Sequence, residues 1–324
     1  MTLFLNVFRY LICVFLVAVC SQLVFAQDYP SKSISLVVGF GPGGNADIVA
    51  RLISQKLSDQ LGQSVVVDNK GGAGGLLASD FVAKSAADGY KLSLVSGAFP
   101  TQAAAMSKLP FDPINDFSWI STIISYPMVV VVNADSPFTN LNEFIKFAKD
   151  NPKKLNYPSP GNGSLFHLAT EYFSSVAAIE MTHIPFKGGS PQLNELLAGR
   201  LDVMFDTLAV VQPHLNSGRL RAIAVTSEKR MTQLPSVPAV AEFFPGFEAS
   251  SFLGVAGPRG LSQEVITKLN LAIRNAVTKS DLKQKFLDLG GDVWVGNPKE
   301  MLDYIVRSTQ KWKRVVQDKS IKLE

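Results

Sequence analysis

Short apolar runs alternate along the chain with stretches whose apolar side chains recur every three or four positions. Runs of that length predict buried β-strands, and the longer period predicts amphipathic helices. Strands are predicted at residues 34–38, 64–67, 92–95, 129–132, 154–157, 201–205 and 221–225. Helices are predicted at residues 46–61, 76–85, 141–150, 165–176, 192–198, 209–216, 264–277, 281–289 and 299–317. This alternation predicts an α/β fold with largely parallel sheets.

The chain has 324 residues, a length that suits two domains of ordinary size. No low-complexity linker interrupts the pattern, so a division into two lobes must come from strands that cross between them. Residues 120–132 form the first predicted crossing, and residues 247–255 form the second. We therefore expect lobe 1 to contain residues 27–127 and 252–324, and lobe 2 to contain residues 128–251.

The first 26 residues have the features of a secretory signal peptide. Arg9 precedes an apolar run at residues 10–19, and small residues stand three and one positions before Gln27. A membrane anchor is the alternative, but this run is much shorter than the roughly 20 residues that a span requires. We expect cleavage after Ala26 and a periplasmic location. Both cysteines, Cys13 and Cys20, would then be removed, which excludes disulfides, thiol catalysis and cysteine-ligated metals in the mature chain.

The charge distribution argues against nucleic acid as a partner. The chain carries 31 basic and 27 acidic side chains, for a formal net charge of +4. The basic residues are dispersed as pairs rather than gathered in a stripe interleaved with aromatic residues. We expect a soluble mature protein that does not bind nucleic acid.

A glycine-rich turn, GFGPGG at residues 39–44, joins the first predicted strand to the first predicted helix. Helix N-termini carry unpaired N–H groups and the positive end of the helix dipole, so this turn is a candidate site for a carboxylate or phosphate. The turn also matches the G-x-G-x-x-G pattern of dinucleotide-binding enzymes, and Asp68 ends the next predicted strand. An oxidoreductase is therefore an alternative. Pro42, which lacks an N–H, and the expected export of the protein both argue against it.

A second turn of this kind, PSPGNGS at residues 158–164, leads into the helix predicted at 165–176. Two such turns on opposite sides of a cleft could hold the two ends of one small dicarboxylate. The alternative is structural, because glycine turns and serine helix caps are common in α/β proteins. Further loops that could line the same cleft contain Ser96, Ala98, Lys187, Gly188, Gly189, Asp206 and Thr207.

These blocks together resemble the substrate-binding proteins of tripartite tricarboxylate transporters, the Bug family. The resemblance rests on short segments in the family's order: YPSK (29–32), FGPGGNADIVAR (40–51), LGQ (61–63), GGAGG (71–75), DGY (88–90), PFDP (110–113), GNGSLFHL (161–168), PFKG (185–188), DVMFD (202–206) and AVTS (224–227). Departures are mild. Asn45 stands where the family usually has Ser or Thr, which affects the helix cap and the details of ligand binding rather than the fold.

The resemblance implies a two-lobed periplasmic binding protein, with a mainly parallel sheet flanked by helices in each lobe and the ligand in the cleft between the lobes. It implies that main-chain N–H groups and waters hold a small organic carboxylate, and that membrane subunits of a transporter receive it. We expect a monomer. Carried over by position, the ligand-binding residues are Phe40, Gly41, Gly43, Gly44, Asn45, Asp47, Ser96, Ala98, Gly161, Asn162, Gly163, Ser164, His167, Lys187, Gly188, Gly189, Asp206 and Thr207.

Two of these residues have a second interpretation. Asp47 could stabilise the N-terminus of its own helix instead of reaching the ligand through water. His167 could pack beside the helix cap. The three histidines, His167, His183 and His214, are not at metal-ligand spacing and belong to no recognisable catalytic triad. We therefore expect no enzymatic activity, no cofactor and no metal, with an exported component that signals to a sensor as the remaining alternative.

Overall fold

The computed structural model describes residues 28–106, 108–186, 190–279 and 281–318. The predicted signal peptide and the loop residues Lys187, Gly188 and Gly189 lie outside the described residues. Among the helices that the structure describes, none has the length and apolar character needed to cross a membrane.

Ten strands are formed by the described residues. They are β1 (Ile34–Val38), β2 (Val65–Asn69), β3 (Lys91–Ser96), β4 (Phe117–Asn133), β5 (Asn156–Ser159), β6 (Thr182–Pro185), β7 (Met204–Thr207), β8 (Leu220–Val225), β9 (Ser250–Pro258) and β10 (Asp292–Val293). All seven predicted strands overlap observed strands: β1 has the predicted ends, and the other six differ at one end or both.

Ten α-helices lie among the described residues. They are α1 (Asn45–Leu61), α2 (Leu76–Ala83), α3 (Ala98–Ala105), α4 (Leu141–Asp150), α5 (Leu165–Ala177), α6 (Ser190–Leu197), α7 (Leu208–Asn216), α8 (Gln263–Thr278), α9 (Leu282–Asp288) and α10 (Pro298–Asp318). Capping residues in the sequence determine where several of these helices begin or end. Gly62 stops α1 at a φ of 67°, with its N–H bonded to the Ser58 carbonyl, and the Asn140 side chain caps α4 by accepting from the N–H of Glu143.

The strands form one eight-stranded sheet and one separate pair. β1 pairs in parallel with β2 and β3, and β5 pairs in parallel with β6. The other pairings are antiparallel, namely β3 with β9 and β4 with β7, β8, β9 and β10. The predicted α/β class is confirmed. Parallel pairing is limited to β1 with β2 and β3 and to β5 with β6, whereas every strand pair that includes β4 or β9 is antiparallel.

β4 is the strand that joins the two halves of the eight-stranded sheet. Over 17 residues it pairs first with β9, as far as Pro127, and from Met128 onwards with β7 and β8. Thr226 stabilises the junction, because its hydroxyl oxygen accepts a hydrogen bond from the N–H of Met128 at 2.7 Å. The first predicted crossing, at residues 120–132, is thus part of one continuous strand. The second, at residues 247–255, overlaps β9.

Separate apolar cores lie on the two sides of this junction. One buries Ile53, Leu94 and Ile273 around β1, β3, α1 and α8, while another buries Phe144, Leu168 and Phe205 around β4, α4, α5 and β7. The last helix packs on both sides. Its Met301 and Ile305 join side chains of β3, β4 and β9, and its Trp312 and Val315 join the core around α5. The lobe boundaries remain a proposal. Helix α10 contacts both cores.

Candidate functional site

The predicted binding residues lie at the carboxyl ends of strands, where a loop leads into a helix. β1 leads into α1, β3 into α3, β5 into α5 and β7 into α7. In open α/β sheets ligands bind in the crevice outside these strand ends, where loops from several strands converge. The fold therefore gives the predicted loops the position that a ligand site requires.

The first loop, residues 39–44, is held by the side chain of Asp47. The N–H of Gly43 donates to Asp47 Oδ2 at 2.9 Å, Arg51 Nε donates to the same oxygen at 2.9 Å, and Asn69 Nδ2 donates to Asp47 Oδ1 at 3.0 Å. The hydrogen bond from Arg51 makes the largest contribution to lowering the pKa of Asp47 to about 2. Both carboxylate oxygens of this buried residue are thus engaged. Its geometry matches the interpretation in which it stabilises its own helix.

Gly43 and Gly44 have different backbone conformations. Gly43 has a φ of 84°, which side-chain-bearing residues rarely adopt, and Gly44 is the N-cap of α1 with a φ of −78° and a ψ of 165°. No side chain caps this helix. Asn45, which the resemblance associates with the cap, is instead the first residue of the helix.

Residues 71–75 pack behind the first loop. A Cβ on Gly39 would lie 2.5 Å from the Gly75 Cα, and a Cβ on Gly71 would lie 3.6 Å from the Gly41 nitrogen. Asn69 Nδ2 also donates to the Phe40 carbonyl at 3.0 Å. At Gly39 this close approach of two backbones leaves no room for a Cβ, whereas the distance at Gly71 is an ordinary van der Waals contact.

The second loop, between β5 and α5, is held by Ser159, Ser164 and His167. Ser159 Oγ donates to the Gly161 carbonyl at 2.9 Å and accepts from the Gly161 N–H at 3.2 Å. Ser164 caps α5 by accepting from the N–H of His167 at 3.3 Å. The N–H of Gly163, whose φ is 70°, donates to His167 Nδ1 at 3.1 Å. His167 therefore packs beside the cap and contacts the loop directly.

His167 belongs to a stack of rings beneath this loop, in which His167 and Tyr157 are buried and His183 is partly buried. Its ring centroid lies 3.8 Å from that of His183, with 9° between the ring planes, and His183 stacks in turn on Tyr157 at 5.0 Å. His183 Nε2 lies 2.6 Å from Ser159 Oγ, and the Tyr157 hydroxyl donates to Glu171. Burial lowers the pKa of His167 to about 3, with a further contribution from His183, and burial lowers that of His183 to about 4. Both imidazoles are neutral at pH 7.

Side chains at the junction connect the two loops. Asn45, at the start of α1, lies beside the hydroxyl of Tyr126 on β4, whose pKa burial raises and Asn45 lowers. Neither Tyr126 Oη nor Asn45 Oδ1 has a well-formed hydrogen bond, although both atoms are buried. Tyr126 pairs with Ser251 on β9. A Cβ on Gly97 would lie 2.9 Å from Ser251 Oγ and 2.8 Å from Leu165, the first residue of α5. This chain of contacts runs from the first residue of α1 to the first residue of α5.

The loop after β3 lies within this group. Ser96 ends β3, and its Oγ accepts from the N–H of Ala98 at 3.3 Å, which turns the chain into α3. Gly97 between them contacts both Ser251 and Leu165, as described above. Ser96 and Ala98 are thus the chain neighbours of a glycine that lies against Leu165, the first residue of α5.

Asp206 is a buried carboxyl group at the end of β7. It accepts from the N–H of Thr207 at 2.7 Å and from Gln192 Nε2 at 3.2 Å, and burial raises its pKa to about 6. Thr207 is the N-cap of α7. Gln192 Oε1 is buried without a partner. Lys187, Gly188 and Gly189, predicted for the same region, lie outside the described residues.

Three residues of this arrangement were missed by the sequence analysis: Tyr126, Ser159 and His183. The His183 strand has only four residues and ends in Pro185, which hides its strand character. Small-residue turns follow the strands predicted at residues 34–38 and 154–157, and this repeat could have drawn attention to Ser159. Among the described residues, no group of three or more histidine, cysteine, aspartate or glutamate side chains is placed to hold a metal ion.

Comparison with known proteins identifies the family of this chain. Residues 49–321 match the family described as "Tripartite tricarboxylate transporter family receptor". The chain is 34% identical to the protein BugT of Bordetella pertussis, with 93% of each chain covered.

Two solved structures are similar. The R. palustris protein Rpa4515 with adipate has a TM-score of 0.81 and 34% identity, over 90% of this chain and 98% of that one. MatC from Rhodopseudomonas palustris with bound malate has a TM-score of 0.78 and 29% identity, over 89% of this chain and 100% of that one.

These matches decide whether the glycine-rich turn at residues 39–44 belongs to a binding protein or to an oxidoreductase. Members of the family are solute-binding receptors rather than enzymes, so the G-x-G-x-x-G pattern at residues 39–44 belongs to a receptor loop and the oxidoreductase alternative is wrong. The chain belongs to the tripartite tricarboxylate transporter receptor family, the Bug family.

Proposed function

We propose that this protein binds a small organic carboxylate between the loop at residues 39–45 and the loop at residues 160–164, and delivers it to the membrane subunits of a tripartite tricarboxylate-type transporter. The protein acts as a monomer in the periplasm, after export and removal of residues 1–26. Solved structures of similar proteins with adipate and with malate support the class of ligand.

One observation carries this proposal: two glycine loops, one after β1 of the eight-stranded sheet and one after β5 of the separate pair, each lie at a helix N-terminus and are linked by contacts through Tyr126, Ser251 and Gly97. N–H groups at a helix N-terminus favour an anion without any lysine or arginine. A ligand with carboxylate oxygens that reach both loops would be bound from both sides.

The hydrogen bonds within the loops narrow the choice of donors. The N–H groups of Gly43, Gly161, Gly163 and Ser164 already donate to protein acceptors. We assign the ligand to other main-chain N–H groups, those of Gly41, Gly44 and Asn45 in the first loop and Asn162 in the second. Phe40, Ser96 and Ala98 line the same space, and Asp206 and Thr207 border it on the side of β7.

A thermal-shift screen with mono-, di- and tricarboxylates tests binding. A ligand that binds only the folded state adds about 2.7 kcal/mol to the free energy of unfolding at a hundredfold excess over Kd. The stabilising carboxylate should be recovered unchanged after incubation. Its chemical conversion, or stabilisation by no carboxylate, would contradict the proposal.

Delivery needs a separate test, which is uptake of the identified carboxylate by vesicles that contain the membrane subunits. Uptake should require this protein on the outer side. Uptake at the same rate without it would leave a binding protein with another role, such as presenting the ligand to a sensor.

A further inference from the structure

We infer that His167, supported by His183, is a positioning residue of the second ligand loop: its Nδ1 fixes the N–H of Gly163 and so sets the main chain that faces the carboxylate. This inference rests on the proposed function, because it takes the loop at residues 160–164 to contact the ligand. The carrying observation is the hydrogen bond from the Gly163 N–H to His167 Nδ1 at 3.1 Å, made by a side chain that is only 6% exposed.

This hydrogen bond requires one form of the imidazole. A ring nitrogen that accepts a hydrogen bond carries no proton, so neutral His167 must carry its proton on Nε2. The buried position of the ring favours this uncharged form. The side chain thus provides an acceptor beside the helix N-terminus without adding a negative charge there.

His183 holds the other glycine of the loop through Ser159. The Ser159 hydroxyl has one hydrogen, which it donates to the Gly161 carbonyl, so its oxygen accepts from the Gly161 N–H and from His183 Nε2–H. The two imidazoles stack face to face at 3.8 Å. His167 and His183 therefore form one neutral unit that fixes Gly163 on one side and Gly161 on the other.

Comparison with the first loop, where the acceptor is charged, shows why a neutral acceptor matters in the second loop. There, the equivalent N–H, that of Gly43, donates to the Asp47 carboxylate, and Arg51 balances this charge at 2.9 Å. Among the described residues, the ring neighbours of His167 are His183 and Tyr157, neither of which is a cation, and Tyr157 donates to the Glu171 carboxylate. An aspartate at position 167 would keep the acceptor but place an unbalanced negative charge next to a bound anion.

Three substitutions at one position separate these effects. His167→Asn keeps a neutral acceptor close to the position of Nδ1, His167→Asp keeps an acceptor with a negative charge, and His167→Phe keeps a ring without an acceptor. His214→Asn, on α7, is the matched control. Each variant is studied by ¹H–¹⁵N NMR without ligand, through the Gly163 amide signal, and by calorimetry with adipate, malate and the carboxylate that most stabilises the wild type.

We expect His167→Asn to keep the Gly163 amide shift and to bind within about threefold of the wild type. His167→Phe should move this amide upfield and weaken binding about tenfold, the effect of losing one hydrogen bond. His167→Asp should keep the downfield amide yet also bind about tenfold more weakly, because like charges repel. His214→Asn should match the wild type in both measurements.

Two results would overturn the inference: an unchanged Gly163 amide in His167→Phe, or equal affinities in His167→Asn and His167→Phe. Failure of the proposed function is a different result, in which the wild type binds no carboxylate. The amide shifts still test the positioning role in that case, because they are measured without ligand. If His167→Phe does not fold, the comparison of His167→Asn with His167→Asp decides whether a neutral acceptor is required.

Discussion

The N–H of Gly163 donates to His167 Nδ1, four residues later, at 3.1 Å. The first loop repeats this relationship, with the N–H of Gly43 donating to Asp47 at 2.9 Å. In both loops a glycine with positive φ precedes the N-cap, and the third residue of the helix supplies the acceptor. The two loops, about 120 positions apart in the sequence, thus have the same arrangement of glycine, N-cap and acceptor. They differ in charge, because one acceptor is a carboxylate and the other a neutral imidazole.

The conformation of Gly43 predicts a specific cost of substitution. A Cβ there meets no atom within 4 Å, so Gly43→Ala tests only the backbone strain at a φ of 84°. We expect the free energy of unfolding to fall by about 1–2 kcal/mol in chemical denaturation. Gly44→Ala is the control, because its φ of −78° suits any residue and its Cβ would meet only the Gly41 carbonyl oxygen, at 3.8 Å. An equal loss in both variants would contradict the assignment of strain to Gly43.

Acidification should destabilise the protein through His167, which is buried, and His183, which is partly buried. The pKa values of His167 and His183 are about 3 and about 4 when folded, against about 6.5 in an unfolded chain. Between pH 6.5 and pH 4 the unfolded chain therefore binds more protons, so stability falls as the pH falls. Each histidine contributes a slope of up to about 1.4 kcal/mol per pH unit. Denaturation at several pH values should show a shallower slope in His183→Phe, and an unchanged slope would contradict the lowered pKa of His183 in the folded protein.

The titration of Asp206 predicts the opposite dependence of stability on pH. Its pKa is about 6 when folded and about 4 when unfolded, so the folded state binds more protons between these values and its stability falls as the pH rises. Asp206→Asn removes this dependence. Its amide can also donate to Gln192 Oε1, which is buried without a partner, once the Gln192 amide turns over. We expect the variant to be at least as stable as the wild type at pH 7. Clear destabilisation at pH 7 would show that the ionised carboxylate is needed for folding.

The glycine loops and the helices that follow them could be predicted because their signals are local. A strand, a turn and an amphipathic period follow one another directly at β1 and α1 and again at β5 and α5. The same local pattern left the role of Asp47 open. Only the fold brings Asn69 and Arg51 to it and shows that both carboxylate oxygens are used.

Other features could not be predicted from local patterns. Helix α3 was missed because Pro100 stands in it, although proline is tolerated in a first turn, where the N–H has no helical partner. The pairing of His167 with His183 joins α5 to β6, and the contact of Asn45 with Tyr126 joins α1 to β4. Such contacts depend on how the strands are ordered, which the alternation of apolar and polar residues does not specify.

Ligand binding should narrow the space between the two halves of the molecule. One small molecule can contact both loops only if they come close together, and β4 and β9, which connect the halves, are the expected hinges. Small-angle scattering with and without a saturating carboxylate should show a smaller radius of gyration in the complex. The Gly163→Val variant, which we expect to bind weakly, is the control at the same ligand concentration. Superimposable curves for the wild type would indicate a preformed pocket instead of closure.

Calorimetry on the wild type, with and without a metal chelator, tests the central claim that main-chain N–H groups bind a carboxylate. Titration with adipate, malate and related carboxylates should give saturable binding of at least one of them, with the same Kd in the chelator. The uncharged diamide of the carboxylate that binds should give no measurable heat, because helix N-termini favour the negative charge that it lacks. Loss of carboxylate binding in the chelator, or equal binding of the diamide, would contradict the claim.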